Sequence, residues 1–360
     1  SSRDCGLDRF RARGGSRPVA LITSNVSVAE RGIVMTTDFC RQFGITHPIV
    51  LAPMSGLSSP ELVAAVSNAG GLGLIALWRA DSDTVRSEVR RIRKLTDKPF
   101  GVNLNMDFRN EEQLEACLEE GVSIISLFWG DTGDFIERAR AGGAKVIVTA
   151  PTAAIARDAA AKGADAICTQ GWEAGGHVEG TVTTMALVPA VVDAVGDVPV
   201  VAAGGIADGR GLAAALALGA SAAWIGTRFL AAEEAPVHPD YVARLLAASE
   251  EDTGYYRDLY NIGWPNAPHR ALKNTTSAMW EAAGMPPLGQ RPGEGDIVAH
   301  MPGKGDIVRY QTASANVALN GDAEAISMWS GQSVGLVKRV QPAAEIVREI
   351  VDQARSILRF

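Results

Sequence analysis

Cysteine is scarce and unpatterned in this chain: Cys5, Cys40, Cys117 and Cys168 form no C-x-x-C pair, so neither a disulfide framework nor a thiolate metal site is expected. Two of them sit in apolar contexts typical of reduced core thiols. No apolar run approaches the roughly 20 residues that a bilayer-crossing helix requires. A dense Lys/Arg cluster is missing as well. With 34 basic against 41 acidic residues, the net charge of −7 gives nucleic acid no electrostatic footprint, and a small molecule is the expected partner. The acidity itself is ordinary solubility charge. Only five histidines are present, and no His/Cys/Asp/Glu group has metal-ligand spacing, so no metal is expected. These absences fit a cytoplasmic protein without a membrane anchor.

Residues 1–34 look unlike the rest. Arg3, Arg9, Arg11, Arg13 and Arg17 are basic, but the apolar stretch from Val19 to Ile22 is too short for a secretory signal. The segment from Met35 to Phe39 reads as a natural start, so residues 1–34 are expected to be an extension with little packed structure.

What the chain does have is a regular alternation. Apolar, β-branched runs at 49–52, 72–75, 100–103, 123–127 and 145–149 each precede a helical stretch, at 60–69, 81–95, 111–120, 134–141 and 152–162. Further runs at 166–169, 200–203 and 223–225 raise the number of strand-like segments to eight. Such alternation predicts a parallel sheet covered by helices. Gly121, Gly143, Gly163 and Gly219 recur just before strands, where a glycine closes the preceding helix in the left-handed conformation. The predicted fold class is α/β, a (β/α)8 TIM barrel formed by residues 35–239 and 331–360, the latter with a C-terminal helix over 342–358. Between them, residues 240–330 break the rhythm with Tyr255, Tyr256, Trp264, Trp280 and Trp329 among many Pro and Gly. They read as an inserted, mainly helical or irregular lid subdomain.

The segment Thr169-Gln170-Gly171-Trp172-Glu173-Ala174-Gly175-Gly176-His177 places a histidine in a glycine-rich loop directly after a strand. Two later strands run into Gly204-Gly205 and Gly226-Thr227. Paired glycines let backbone N–H groups approach a phosphate with no Cβ in the way, and in a barrel this site lies after strands seven and eight. His177 can exchange a proton near neutral pH. His269 is the second candidate, because its segment could reach the site.

In order along the chain, Ala52-Pro53-Met54, the run 68–73, Gly101-Val102-Asn103, the run 170–177, Ala203-Gly204-Gly205-Ile206 and Gly226-Thr227-Arg228-Phe229 resemble the motifs of the FMN-dependent nitronate monooxygenases, also known as 2-nitropropane dioxygenases. The resemblance covers most of residues 40–340. It implies an enzyme that oxidises alkyl nitronates with O2 to a carbonyl compound and nitrite, with His177 as base or substrate anchor. It also implies that Gly175, Gly176, Gly204, Gly205, Gly226 and Thr227 hold the FMN phosphate. Ala52, Pro53, Met54, Asn103 and Gln170 are then expected near the flavin ring, with Gln332 and Ser333 completing the pocket, and a homodimer is compatible with this reading. The same motifs resemble FMN- and NAD(P)H-dependent enoyl-acyl-carrier-protein reductases, which would need a basic mouth to which Arg79, Arg109 and Arg270 could contribute.

Overall fold

The computed structural model describes residues 35–358, so the expectation about residues 1–34 lies outside the described residues. Eight parallel strands form the central sheet: β1 (Ile49–Leu51), β2 (Gly73–Ala76), β3 (Phe100–Asn105), β4 (Ile124–Phe128), β5 (Lys145–Ala150), β6 (Ala166–Gln170), β8 (Val200–Ala203) and β9 (Ala222–Ile225). Between β6 and β8 lies a two-residue strand outside the barrel, β7 (Gly176–His177). The sheet order is β1-β9-β8-β6-β5-β4-β3-β2. Leu51 N–H donates to Leu72 O at 2.9 Å and Leu72 N–H to Ile49 O at 2.9 Å, which joins the two ends and closes the barrel. All eight predicted runs are therefore barrel strands.

Their side chains divide in two directions. Val50, Leu74, Ile124, Ile147, Cys168, Val201 and Trp224 share the cluster that fills the barrel. Alternate residues such as Leu51, Ile75, Val102, Ile125, Val146 and Ile167 pack outward against the helices. Burial on both faces explains why the strands read as continuous apolar runs. Phe39 and Phe43 of helix α1 (Asp38–Phe43) stack at 4.3 Å and join the inner cluster, plugging the barrel beneath the strand starts.

The covering helices are α2 (Pro60–Asn68), α3 (Ser82–Leu95), α4 (Glu111–Glu119), α5 (Phe135–Ala141), α6 (Ala153–Ala161), α7 (Thr184–Val195) and α8 (Gly209–Ala217). The four glycines read as helix stops all have φ between +65° and +96°. Near the chain end, α11 (Ala343–Ile357) buries Ile346, Val347, Ile350 and Val351 against α8 and α2, as its apolar spacing predicts.

The segment 240–330 departs from the helical expectation. It holds two helices, α9 (Pro239–Ala247) and α10 (Thr275–Ala282), but five strands: β10 (Thr253–Tyr256), β11 (His269–Leu272), β12 (Ile297–Met301), β13 (Gly305–Val308) and β14 (Asn320–Gly321). They form two three-stranded sheets, β10-β11-β7 and β13-β12-β14. Strands of two to five residues carry too little periodicity to stand out locally, and their pairing decides the conformation. The first sheet matters most for the site. Antiparallel pairing of His177 with His269 and of Gly176 with Arg270 makes the barrel loop an edge strand of the inserted segment.

Candidate active site

A cavity opens where the strands end. It is lined by Ala52, Pro53, Met54, Asn103, Gln170, Gly175, Gly176, His177, Gly204, Gly205, Gly226, Thr227 and Ser333, so thirteen of the fourteen residues singled out in the sequence meet there. Gln332 does not line it. Its backbone N–H donates to Glu173 O at 3.0 Å while its neighbour Ser333 takes the cavity position. A Gln332→Ala variant is accordingly expected to retain its cofactor within about twofold of wild type, since its side chain supplies none of the lining donors; bound-flavin absorbance per protein checks this.

The glycine loops form one end. The N–H groups of Gly204, Gly205, Gly226 and Thr227 donate to no protein acceptor among the described residues. Several free donors converging after two neighbouring barrel strands form a nest for an anion. Gly176 has φ +73°, and a Cβ built on it would meet nothing within 4 Å, so the position faces open cavity. Gly175 is small for a second reason: a Cβ there would fall 2.4 Å from Gly331 N, which makes it the contact point for the tail segment. Thr227 Oγ1 accepts from that same Gly331 N–H at 3.0 Å.

Glu173 wires these loops together. Its carboxylate accepts from Thr184 N at 2.9 Å, at the start of α7, and Thr184 Oγ1 donates to Gly204 O at 3.0 Å. Gln170 Nε2 donates to His177 O at 3.1 Å, fixing the backbone of the histidine. Asn103 Nδ2 is held by Ser126 Oγ at 3.2 Å. Ser58 Oγ accepts from Met54 N at 2.8 Å and shapes the loop after β1.

His177 lies between two indoles, with ring centroids 4.0 Å from Trp264 and 5.0 Å from Trp329. Its Nε2 is buried and has no hydrogen-bond partner. Protein surrounds it, and what surface it retains opens onto the cavity, not onto bulk water. Burial holds the imidazole pKa well below its usual value, helped by His269 and by the positive charge of Arg79. The ring is therefore neutral at physiological pH. An unpartnered, neutral imidazole facing a cavity has the properties of a proton acceptor.

His269 is in contact but serves otherwise. It is fully buried; Nδ1 lies 2.9 Å from Ala267 O, and Nε2 accepts from Tyr260 N at 3.2 Å. Both ring nitrogens are spent on backbone, which removes it as a second base. Burial pushes its pKa down to about 4. Between pH 4 and the unfolded value near ~6.5, the unfolded chain takes a proton that the folded chain refuses. The stabilisation is complete above that window and is lost as pH falls through it, on the order of 3 kcal/mol. Denaturant midpoints should therefore drop between pH 6.5 and 4, with a shallower slope in His269→Gln; an unchanged slope would contradict this origin.

Of the remaining aromatic and basic wall residues, only Arg79 was legible in the sequence. Trp78, Phe128, Trp264 and Trp329 give the cavity an aromatic side. Trp264 is anchored by its indole N–H, which donates to Asp107 Oδ2 at 3.0 Å. Arg79 and Lys304 also line the cavity. Of the other arginines considered for a basic mouth, Arg109 is exposed away from the cavity lining. Arg270 is buried, donating to Trp172 O at 3.1 Å with its guanidinium 4.8 Å from the Trp172 ring. Among the described residues no cluster of metal-ligating side chains occurs, and no helix is long and apolar enough to cross a membrane.

Comparison with known proteins identifies the family. The family model described as nitronate monooxygenase matches residues 37–113 and 106–353. A nitronate monooxygenase of Pseudomonas aeruginosa is 34% identical, over 89% of this chain and 100% of its own. A (3aS,4S,5R,7aS)-5-hydroxy-7a-methyl-1-oxo-octahydro-1H-indene-4-carboxyl-CoA dehydrogenase of Rhodococcus jostii is 39% identical over 69% of each chain. Among solved structures, FabK from Thermotoga maritima superposes with a TM-score of 0.76 at 33% identity, covering 89% of this chain and 96% of that one. With a family model spanning nearly all of the described residues and a full-length relative above 30% identity, the chain belongs to the nitronate monooxygenase family of oxidoreductases.

Proposed function

We propose that this enzyme binds FMN and oxidises alkyl nitronates with O2 to a carbonyl compound and nitrite. The observation that carries the reading is His177, a neutral imidazole without a hydrogen-bond partner on Nε2, at the wall of the cavity. Two features fit FMN. The free N–H groups of Gly204, Gly205, Gly226 and Thr227 suit its phosphate, and the space open in front of Gly176 leaves room for backbone to approach it. Bound there, FMN would supply the redox chemistry as the electron acceptor.

The protein's own work is to bind, orient and exclude water. Gln170 holds the carbonyl of His177, and Trp264 and Trp329 confine its ring. With a neutral nitroalkane, His177 would accept the α-proton; with a preformed nitronate it would hold the anion. The aromatic walls keep water from the reacting carbon. The rival reading, reduction of an enoyl thioester with NAD(P)H, is favoured by the likeness to FabK and to the CoA-thioester dehydrogenase. Anaerobic mixing separates the two. Bleaching of the flavin by propionate 3-nitronate and not by NADH supports nitronate oxidation. Bleaching by NADH, with reoxidation by an enoyl thioester, overturns it.

A further inference from the structure

A second cavity, of about 160 Å³, lies between the start of α8, the tail segment and α11. That is below the roughly 300–1,000 Å³ of a pocket for a drug-sized ligand, so it suits a small one. Five charged side chains line it: Asp208, Arg228, Lys338, Arg339 and Glu349. Both acids are engaged. Asp208 caps α8 and accepts from Arg210 Nε at 2.8 Å, while Glu349 accepts from Arg339 and from Gln341 Nε2 at 2.9 Å. Arg228 and Lys338 are left over, and neither makes an ion pair among the described residues. Arg228 is only 6% exposed, yet its guanidinium has neutral partners alone, Gln341 Oε1 and, at 3.5 Å, Arg339 O. Burial lowers its pKa; Glu349 opposes that shift and Arg339 adds to it.

A buried guanidinium without a counter-ion is costly, and an anion entering beside it offsets that cost. Two unneutralised cations call for a dianion, and the planar fork of an arginine matches the oxygens of a phosphate. The start of α8 is not the receptor, because its N–H groups are spent: Gly209 donates to Gln353 Oε1 at 2.7 Å, and Arg210 and Gly211 donate to Asp208. The two cavities share three stretches of chain. Ile206 lines the first and Asp208 the second; Thr227 lines the first and Arg228 the second; Ser333 lines the first and Lys338 the second. Thr227 and Arg228 open one short helical turn, Thr227–Ala231, and Thr227 Oγ1 also holds the tail through Gly331 N. An anion that draws Arg228 and Lys338 together therefore tightens the turn and the tail that flank the free N–H groups of Gly226 and Thr227.

We propose that Arg228 and Lys338 form a second binding site, for a small phosphate dianion, free or as the monoester of a short alcohol, and that its occupancy tightens the hold of the first cavity on FMN. The coupling rests on the FMN reading above; the site itself does not. Linkage is reciprocal, so bound FMN strengthens phosphate binding by the same factor.

Calorimetric titration of the full-length protein with its flavin bound reads the site directly, because the glycine nest is then filled and cannot compete. Inorganic phosphate, glycerol 1-phosphate and succinate are compared at constant ionic strength set by chloride. Lys338 is exposed and unpaired, so Lys338→Met should fold normally and weaken phosphate binding about three- to tenfold, and Lys338→Arg should restore it. Arg228→Lys, with its unfolding midpoint in chloride as the control, should weaken binding in the same direction. Binding of either phosphate form that depends on Lys338 upholds the site, and the tighter of the two identifies the source. Absence of binding, an affinity unmoved in both variants, or succinate binding as tightly as phosphate overturns it. Release of flavin on dilution, followed by the fluorescence of the freed flavin, should slow about fivefold or more at a phosphate concentration that saturates wild type, and less in Lys338→Met. Phosphate that binds but leaves the release rate unchanged overturns the coupling. A freed flavin that is not FMN sinks the cofactor reading, while the titration still decides the site.

Discussion

His177→Asn is expected to retain FMN while its kcat/KM for neutral nitroalkanes falls about 10²–10⁴-fold, the usual cost of removing a general base. The loss on preformed nitronates should be much smaller, about tenfold, because no α-proton remains to be taken and only an interaction with the anion is lost. The backbone hydrogen bonds of His177, to Gln170 and to the β11 strand, do not depend on its side chain, so the β7 pairing should survive. The pH profile gives a second, independent readout. Because the imidazole pKa is held well below its usual value, the neutral form persists through pH 6.5, and the wild-type rate on neutral substrate should stay level there and fall only at more acidic pH. A fall centred near pH 6.5 would mean that the active imidazole is solvated. Equal, small losses on both substrate forms in His177→Asn would leave the residue a structural role.

The barrel is legible because its strands are short, mostly apolar runs buried on both faces, and most of them are followed by a helix long enough to show its period. The segment 240–330 is less so for a physical reason. A two-residue strand such as Gly176–His177 has no periodicity of its own; it is a strand because His269 and Arg270 lie alongside. Lys304 is equally silent in sequence, since a lysine between two glycines at a hairpin tip reads as a solvated turn, and only the fold carries it to the loop after β1. His269 shows the opposite failure. Its segment reads as reactive, yet the positions of Ala267 O and Tyr260 N, invisible in one dimension, use both of its nitrogens. Gln332 and Ser333 differ by one residue in a tight turn, and that step decides which of them faces the cavity. By contrast the glycines at 176, 204 and 205 could be read directly, because their left-handed φ values are a local requirement that few other residues meet.

Gly176→Val should cost the protein its cofactor before it costs the fold. A β-branched residue at φ +73° is strained by roughly 1–2 kcal/mol, a modest fraction of a domain's stability. Its branched side chain would meet no protein atom near Cβ and would instead project into the cavity beside the glycine nest. There it would hold a phosphate away from the free N–H groups of Gly204 and Gly205. Each charge-assisted hydrogen bond to a phosphate is worth about 1.5–3 kcal/mol, so the loss of two should weaken FMN binding by roughly 100-fold or more. Purified Gly176→Val is thus expected to be nearly colourless, to unfold at a midpoint close to that of wild-type apoprotein, and to regain flavin only at FMN concentrations far above those that saturate wild type. Gly175→Val is the contrasting control: its Cβ would strike the backbone at Ser330 and Gly331, so it should lose stability and flavin together. Normal FMN affinity in Gly176→Val would remove the loop after β6 from the cofactor site, and an apoprotein melting far below wild type would show that the strain at this position, and not the phosphate, is what the glycine serves.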